Sequence, residues 1–378
     1  MQETVLAQES REVRMHNTLG FGMAGAVVAL GIVIAAGAPA AAQEIPRTPS
    51  GRPDLSGTYD TATLTPLERP EAFGERLALT EEEAAAIAEG EPVALAAAFG
   101  IPAERNIESA PPSEAPPAGG DGSTGAAGAV GGYNTFWMDR GTAAFQIDGQ
   151  WRTSIITDPP NGRRPPMTPE AQARRAELAR FYRPNTGTAW WLIENGLDAP
   201  GPYDDPEMRP LAERCLLGFG STAGPPMLPV LYNNLKRIVQ TDEHVLILIE
   251  MVHDARIIRM NAEHAPPEIR SWLGDSVGHW EDDTLVVDTT NFNDTPALGG
   301  ASRNLHVVER FTRLDADTLL YQFTVDDPTV WSRPWSGEYI WPATGDRVYE
   351  YACHEANYSF RGILGGARIL EQDVREGR

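Results

Sequence analysis

Residues 244–261, HVLILIEMVHDARIIRMN, decide the fold. The run 245–249 is continuously apolar and rich in branched side chains, the composition of a strand buried on both faces. The pattern returns at 255–261, so the stretch reads as two neighbouring strands, 244–252 and 255–261. Glu250, His253, Asp254, Arg256 and Arg259 follow one another in and beside them. Ionisable groups so close to a buried strand are costly unless they are paired or line a polar cavity.

Outward from this pair the C-terminal half repeats the strand signal. Further strands are predicted at 236–241, 276–282, 284–291, 304–313, 317–326, 335–341 and 347–353. Polar turns separate many of them, at Asp242-Glu243, Glu281-Asp282-Asp283, Asp315-Ala316-Asp317 and Gly345-Asp346. The expectation is a mostly β fold, an antiparallel meander closed into a lipocalin-like barrel or folded as a sandwich. Closure is favoured because it removes sheet edges and can enclose a small ligand.

Toward the N-terminus the chain is less regular. Residues 43–108 read as an arm with one helix from 80 to 98, opened by Thr80 with Glu81, Glu82 and Glu83 in its first turn. Residues 109–132, SAPPSEAPPAGGDGSTGAAGAVGG, hold almost no large side chain and read as a linker. In the β-rich ligand-binding domain, 133–378, a hairpin is expected over 143–147 and 151–156. A helix is expected over 168–182, with Pro169 at its first position, and 184–230 lacks a strong helix. Residues 1–42 resemble a secretory signal: Arg11 and Arg14 precede an apolar run, and Ala40-Ala41-Ala42 supplies a small-residue cleavage site. An uncleaved anchor is the alternative. The expected location is secreted or periplasmic.

A net charge of −22 over 378 residues repels phosphate backbones and anionic lipid, which argues against nucleic acid, and against membrane contact after signal cleavage. Cys215 and Cys353 are the only cysteines; export predicts one disulfide between them, against two buried free thiols. GxGxxG, Walker, GxSxG and HExxH signatures are absent, and no cofactor is expected. Nor is a metal site, because His244, His253, His264, His279, His306 and His354 include no pair at i, i+2 or i, i+4 spacing.

Several long strings carry a resemblance. They are DPPNGR at 158–163, EMVHDARII at 250–258, GDSVGHWEDDTLVVDT at 274–289, NLHVVERF at 304–311 and YEYACHE at 349–355. Together they resemble a large family of uncharacterised exported bacterial proteins over 150–365. Asp282-Asp283 stands where that family usually carries Gly-Asp. The resemblance implies export and a shared site, and carries no reaction or catalytic residue with it.

Candidate chemistry therefore comes from the residues. Strand alternation puts Glu250 on an apolar face with Arg256 able to meet it across the hairpin, as an ion pair or in a ligand pocket. It separates His253 from Asp254, which then cooperate only at a strand end or bulge. Glu309 interrupts an apolar row, and a buried carboxyl is a usual source of an acid at neutral pH. His354-Glu355 either closes one barrel mouth or frames the disulfide. His279, Trp280, His306 and Trp137 are candidate ligand contacts, the tryptophans by stacking, as is Trp331. The leading expectation is an exported enzyme doing cofactor-independent acid/base chemistry (a lyase, isomerase or hydrolase) on a small organic or saccharide ligand in the barrel. Glu309 or His253 would move the proton, Arg256 would stabilise developing negative charge, and His354 and Glu355 would assist. The alternative is a non-catalytic exported carrier or carbohydrate-binding protein.

Overall fold

The computed structural model describes residues 45–89, 141–181, 186–218, 220–230 and 232–378. The expected signal segment 1–42, the expected linker 109–132, Trp137 and the expected helix beyond Glu89 lie outside the described residues.

The strands are β1 (Gly57–Asp60), β2 (Gln146–Ile147), β3 (Gln150–Trp151), β4 (Ile156–Asp158), β5 (Leu235–Gln240), β6 (His244–Ile249) and β7 (Ala255–Met260). They continue with β8 (Asp275–Glu281), β9 (Thr284–Thr290), β10 (His306–Arg313), β11 (Thr318–Asp326) and β12 (Trp335–Pro342). All but the β2/β3 ribbon join one curled ten-stranded sheet, a half-barrel, in the order β1-β5-β6-β7-β8-β9-β10-β11-β12-β4. A bridge between Tyr59 and Ala343 draws β1 toward the segment leaving β12. The mostly β expectation holds.

Two features depart from a simple meander. β7 and β8 run parallel, pairing Ile258 with Ser276 and Met260 with Gly278, so 261–274 is a crossover and not a hairpin turn. Parallel neighbours need a connection of about a dozen residues or more, which this segment provides. The strand expected at 347–353 does not form. β4 pairs with β12 and takes that edge, and the chain passes instead over the β6–β7 turn.

The sheet's inner face is a packed core. Phe311, Tyr321, Phe323, Trp335, Tyr339 and Trp341 are all essentially buried, with Tyr321 stacked on Trp341 at 4.8 Å between ring centroids. Trp331 packs edge-on against Trp335 and belongs to the same core. These rings occupy the space where the sequence suggested a ligand.

Helices cover the rest. α1 (Glu81–Ala88) begins with a complete capping box between Thr80 and Glu83. α2 (Pro169–Phe181) matches the expected second helix. α3 (Trp190–Asn195) lies in the stretch expected to be irregular. α4 (Cys353–Ala356) and α5 (Tyr358–Glu376) end the chain. Gly362, Gly365 and Gly366 lower the helical propensity of α5, so tertiary support matters there. Trp191 provides it, donating from Nε1 to Glu371 Oε1 at 3.1 Å within a cluster that includes Trp190, Leu192 and Ala367.

Candidate functional site

Arg256 and Glu309 point into the core from β7 and β10 and meet there. Arg256 donates to both Glu309 oxygens, at 3.0 and 2.6 Å, and Tyr321 OH adds a third donor at 2.7 Å. Both side chains are essentially inaccessible, at 1% and 0% exposure. Burial opposes the guanidinium charge, but the Glu309 carboxylate outweighs it and holds Arg256 protonated. The same arginine reaches Ser276 Oγ at 3.2 Å. Both Glu309 oxygens are engaged, while Arg256 Nε is buried without a hydrogen-bond partner among the described residues; closed off from solvent, the two side chains form a core ion pair and not an accessible site.

The expected partner of Arg256, Glu250, is elsewhere. β6 ends at Ile249, and Val252 and His253 both adopt left-handed backbone, φ 60° and 47°. Glu250 itself takes helical backbone, φ −63° and ψ −43°, so alternation stops before it. Its Oε1 accepts from the Tyr349 amide at 3.0 Å, and His253 Nδ1 lies 3.2 Å from the Tyr351 carbonyl, so the 347–352 segment straps this turn. Burial raises the Asp254 carboxyl to about 6, with His253 opposing the rise. Behind the turn Lys236 is fully buried and its Nζ has no hydrogen-bond partner among the described residues. Burial lowers that ammonium to about 7, while Asp60 and Glu250 pull the other way.

The outer face of the sheet carries a longer polar constellation. Asp275 on β8, Asp288 on β9 and His306 on β10 project outward, and the crossover lays His264 over them. His264 Nδ1 lies 2.9 Å from Asp275 Oδ2 and its Nε2 lies 2.8 Å from Asp288 Oδ1. The other Asp288 oxygen lies 2.7 Å from His306 Nε2. Arg259 closes the far end on Asp275 at 2.8 Å, and the Ala265 amide donates to the same carboxylate. All of these side chains are partly accessible.

The shifts follow from this geometry. The hydrogen bond to Asp288 raises the His306 imidazole against an opposing effect of burial, with the Asp288 and Asp326 charges adding to the rise. His306 in turn holds the Asp288 carboxyl below its ordinary value, with His264 contributing. Burial opposes the Asp275 charge, but the Ala265 amide, His264 and Arg259 outweigh it and keep that carboxyl low. Both imidazole nitrogens of His264 face carboxylates, and only the doubly protonated ring donates to both at once. Among the described residues, no group of three or more His, Cys, Asp or Glu side chains is placed to hold a metal ion.

The remaining candidates are dispersed. His279 is exposed beside Glu281 at 3.3 Å, and Arg52 lies over the Trp280 ring at 5.8 Å. Glu355 is exposed, while His354 lines a cleft outside the sheet. His253, Glu309 and His354 thus sit in a strapped turn, the core and that cleft. Sequence reasoning missed Asp275, Asp288 and His264 as site residues. Asp275, Asp288 and His306 lie within two of the strings that carry the family resemblance and stand on neighbouring antiparallel strands, but the link between the two carboxylates is His264, which the parallel crossover supplies and no local pattern reveals. Comparison of the chain with protein-family models, curated proteins and solved structures gives no match.

Proposed function

We propose that the protein is an exported enzyme performing cofactor-independent acid/base chemistry, of lyase, isomerase or hydrolase type, on a small organic or saccharide substrate presented to the outer face of β8–β10. The Asp275–His264–Asp288–His306 chain carries this reading. His306 is the proton-transfer group: Nε2 is committed to Asp288, and Nδ1 has no hydrogen bond among the described residues. An imidazole with one nitrogen fixed by a carboxylate keeps a single tautomer, with the other nitrogen available to take up or give back a proton. Its raised affinity for protons keeps the acid form populated toward neutral pH. Asp288 and His264 are positioning residues. The signal-like 1–42 segment and the disulfide between Cys215 and Cys353 support export.

The test is turnover by the mature protein on a panel of glycosides, esters and aromatic metabolites. For an accepted substrate, His306→Gln is expected to lower kcat by about 10²–10⁴-fold, and Asp288→Asn to lower it while also shifting the pH profile. Full activity in His306→Gln would remove the assignment. Saturable binding without turnover across the panel would favour the carrier reading instead.

A further inference from the structure

A cleft of about 830 Å³ opens between the 203–216 segment and the first turns of α5. The disulfide between Cys215 and Cys353 staples its two walls, placing Arg214 and Leu216 on one side and His354 on the other. On α5, Arg361, Leu364, Gly365 and Arg368 follow i, i+3, i+4, i+7 spacing and share the face that lines the cleft.

The charges here are unusual for so acidic a chain. Arg368 is neutralised by Asp204 at 3.1 Å and Glu371 at 2.6 Å, and Glu213 is occupied by Arg209 at 2.8 Å. The side chains of Arg214 and Arg361 have neither an ion pair nor a hydrogen bond among the described residues. Two uncompensated guanidinium groups facing one concavity repel each other, and a bound anion removes that repulsion. The nearby N-terminal end of α5 adds partial positive charge. Phe360, Leu216 and Leu364 supply an apolar lining.

We propose that this cleft binds an organic anion, its carboxylate held by Arg214, Arg361 and His354 and its aromatic or aliphatic body resting on Phe360, Leu216 and Leu364. Arginine forks match carboxylate geometry through paired N–H donors, and apolar contact supplies the remaining affinity. The site is separate from the outer-face histidine chain and does not rest on the acid/base reading. It assigns a role to His354, which that chemistry leaves unused.

Calorimetric titration of the disulfide-bonded mature protein with 1-naphthoate tests it, with neutral 1-naphthamide and inorganic phosphate as controls. Saturable one-to-one binding of naphthoate is expected, with little heat from either control. Arg361→Gln should weaken it at least tenfold. Gly365→Leu should do the same by filling the cleft that Gly365 lines, since a Cβ at this position meets nothing within 4 Å and the substitution raises helix propensity. His306→Gln should leave the affinity unchanged, so failure of the catalytic reading does not affect this one. Equal binding of naphthamide, equal binding of phosphate, no saturable binding of naphthoate, or full affinity in Arg361→Gln would each overturn the proposal.

Discussion

Lys236 shows how the half-barrel tolerates a misplaced charge. It occupies an inward position on β5 beside Ile238, with Tyr59 and Ile249 as its cross-strand partners. Burial lowers its folded value to about 7 from an ordinary 10.5. Between those two values the unfolded chain holds a proton that the folded chain has released, so this residue makes stability rise with pH from about 7 upward. Below about 7 both states are protonated and the folded state bears the full burial penalty. Lys236→Met is therefore expected to raise the urea midpoint, and the variant's advantage should shrink as pH climbs toward 10. Urea unfolding of both proteins at several pH values checks this. A midpoint lower than wild type at pH 7 would mean that the amine has a stabilising partner.

At the scale of elements, the crossover 261–274 turns a stack of strands into a site. It is fastened at both ends, by Asn261 N to Gly278 O at 2.7 Å and by Ser271 N to Asn291 O at 3.1 Å, and it delivers His264 between two carboxylates. Gly274, which ends it, has φ 72°, and a Cβ there would lie 2.7 Å from both Thr289 Cγ2 and the Thr290 carbonyl oxygen. The left-handed backbone alone costs a non-glycine residue about 1–2 kcal/mol, and the backbone contact adds to this. Gly274→Ala should lower stability by roughly 2 kcal/mol or more and weaken any activity that depends on His264. Denaturant unfolding and the substrate panel report the two effects. Wild-type values for both would show that the crossover can move without consequence.

At the scale of the whole molecule, one covalent link ties the 203–216 segment to the strap and C-terminal helices. Cys215 and Cys353 are separated by 138 residues, and a loop of that size restricts the unfolded chain by about 5 kcal/mol in the loop-entropy model. Cys215→Ala with Cys353→Ala should destabilise the protein by several kcal/mol on this basis. Naphthoate binding should suffer more than the remainder of the fold, because the link joins the cleft's walls directly. Calorimetric melting and titration of the double variant test both points, and an unchanged melting temperature would show the link to be incidental.

The sequence determined the positions of the eight strands β5 to β12, the helices opening at Thr80 and Pro169, and the cysteine pair, because each rests on local periodicity, capping chemistry or composition; it also predicted a ninth strand at 347–353 that does not form and an all-antiparallel order that the β7–β8 pair breaks. Tertiary structure decided which charges meet. Arg256 reaches Glu309 and not Glu250 because β6 ends at Ile249 and Glu250 itself takes helical backbone, which ends the strand alternation before it. Asp288 meets two histidines because His306 stands on the neighbouring antiparallel strand and the parallel crossover brings His264 back over the sheet. Arg214 and Arg361 face one cleft because a disulfide spans 138 residues. Alternation and spacing specify which face a side chain occupies, but contacts between distant strands depend on register and crossovers, and these are set only when the whole sheet closes around its core.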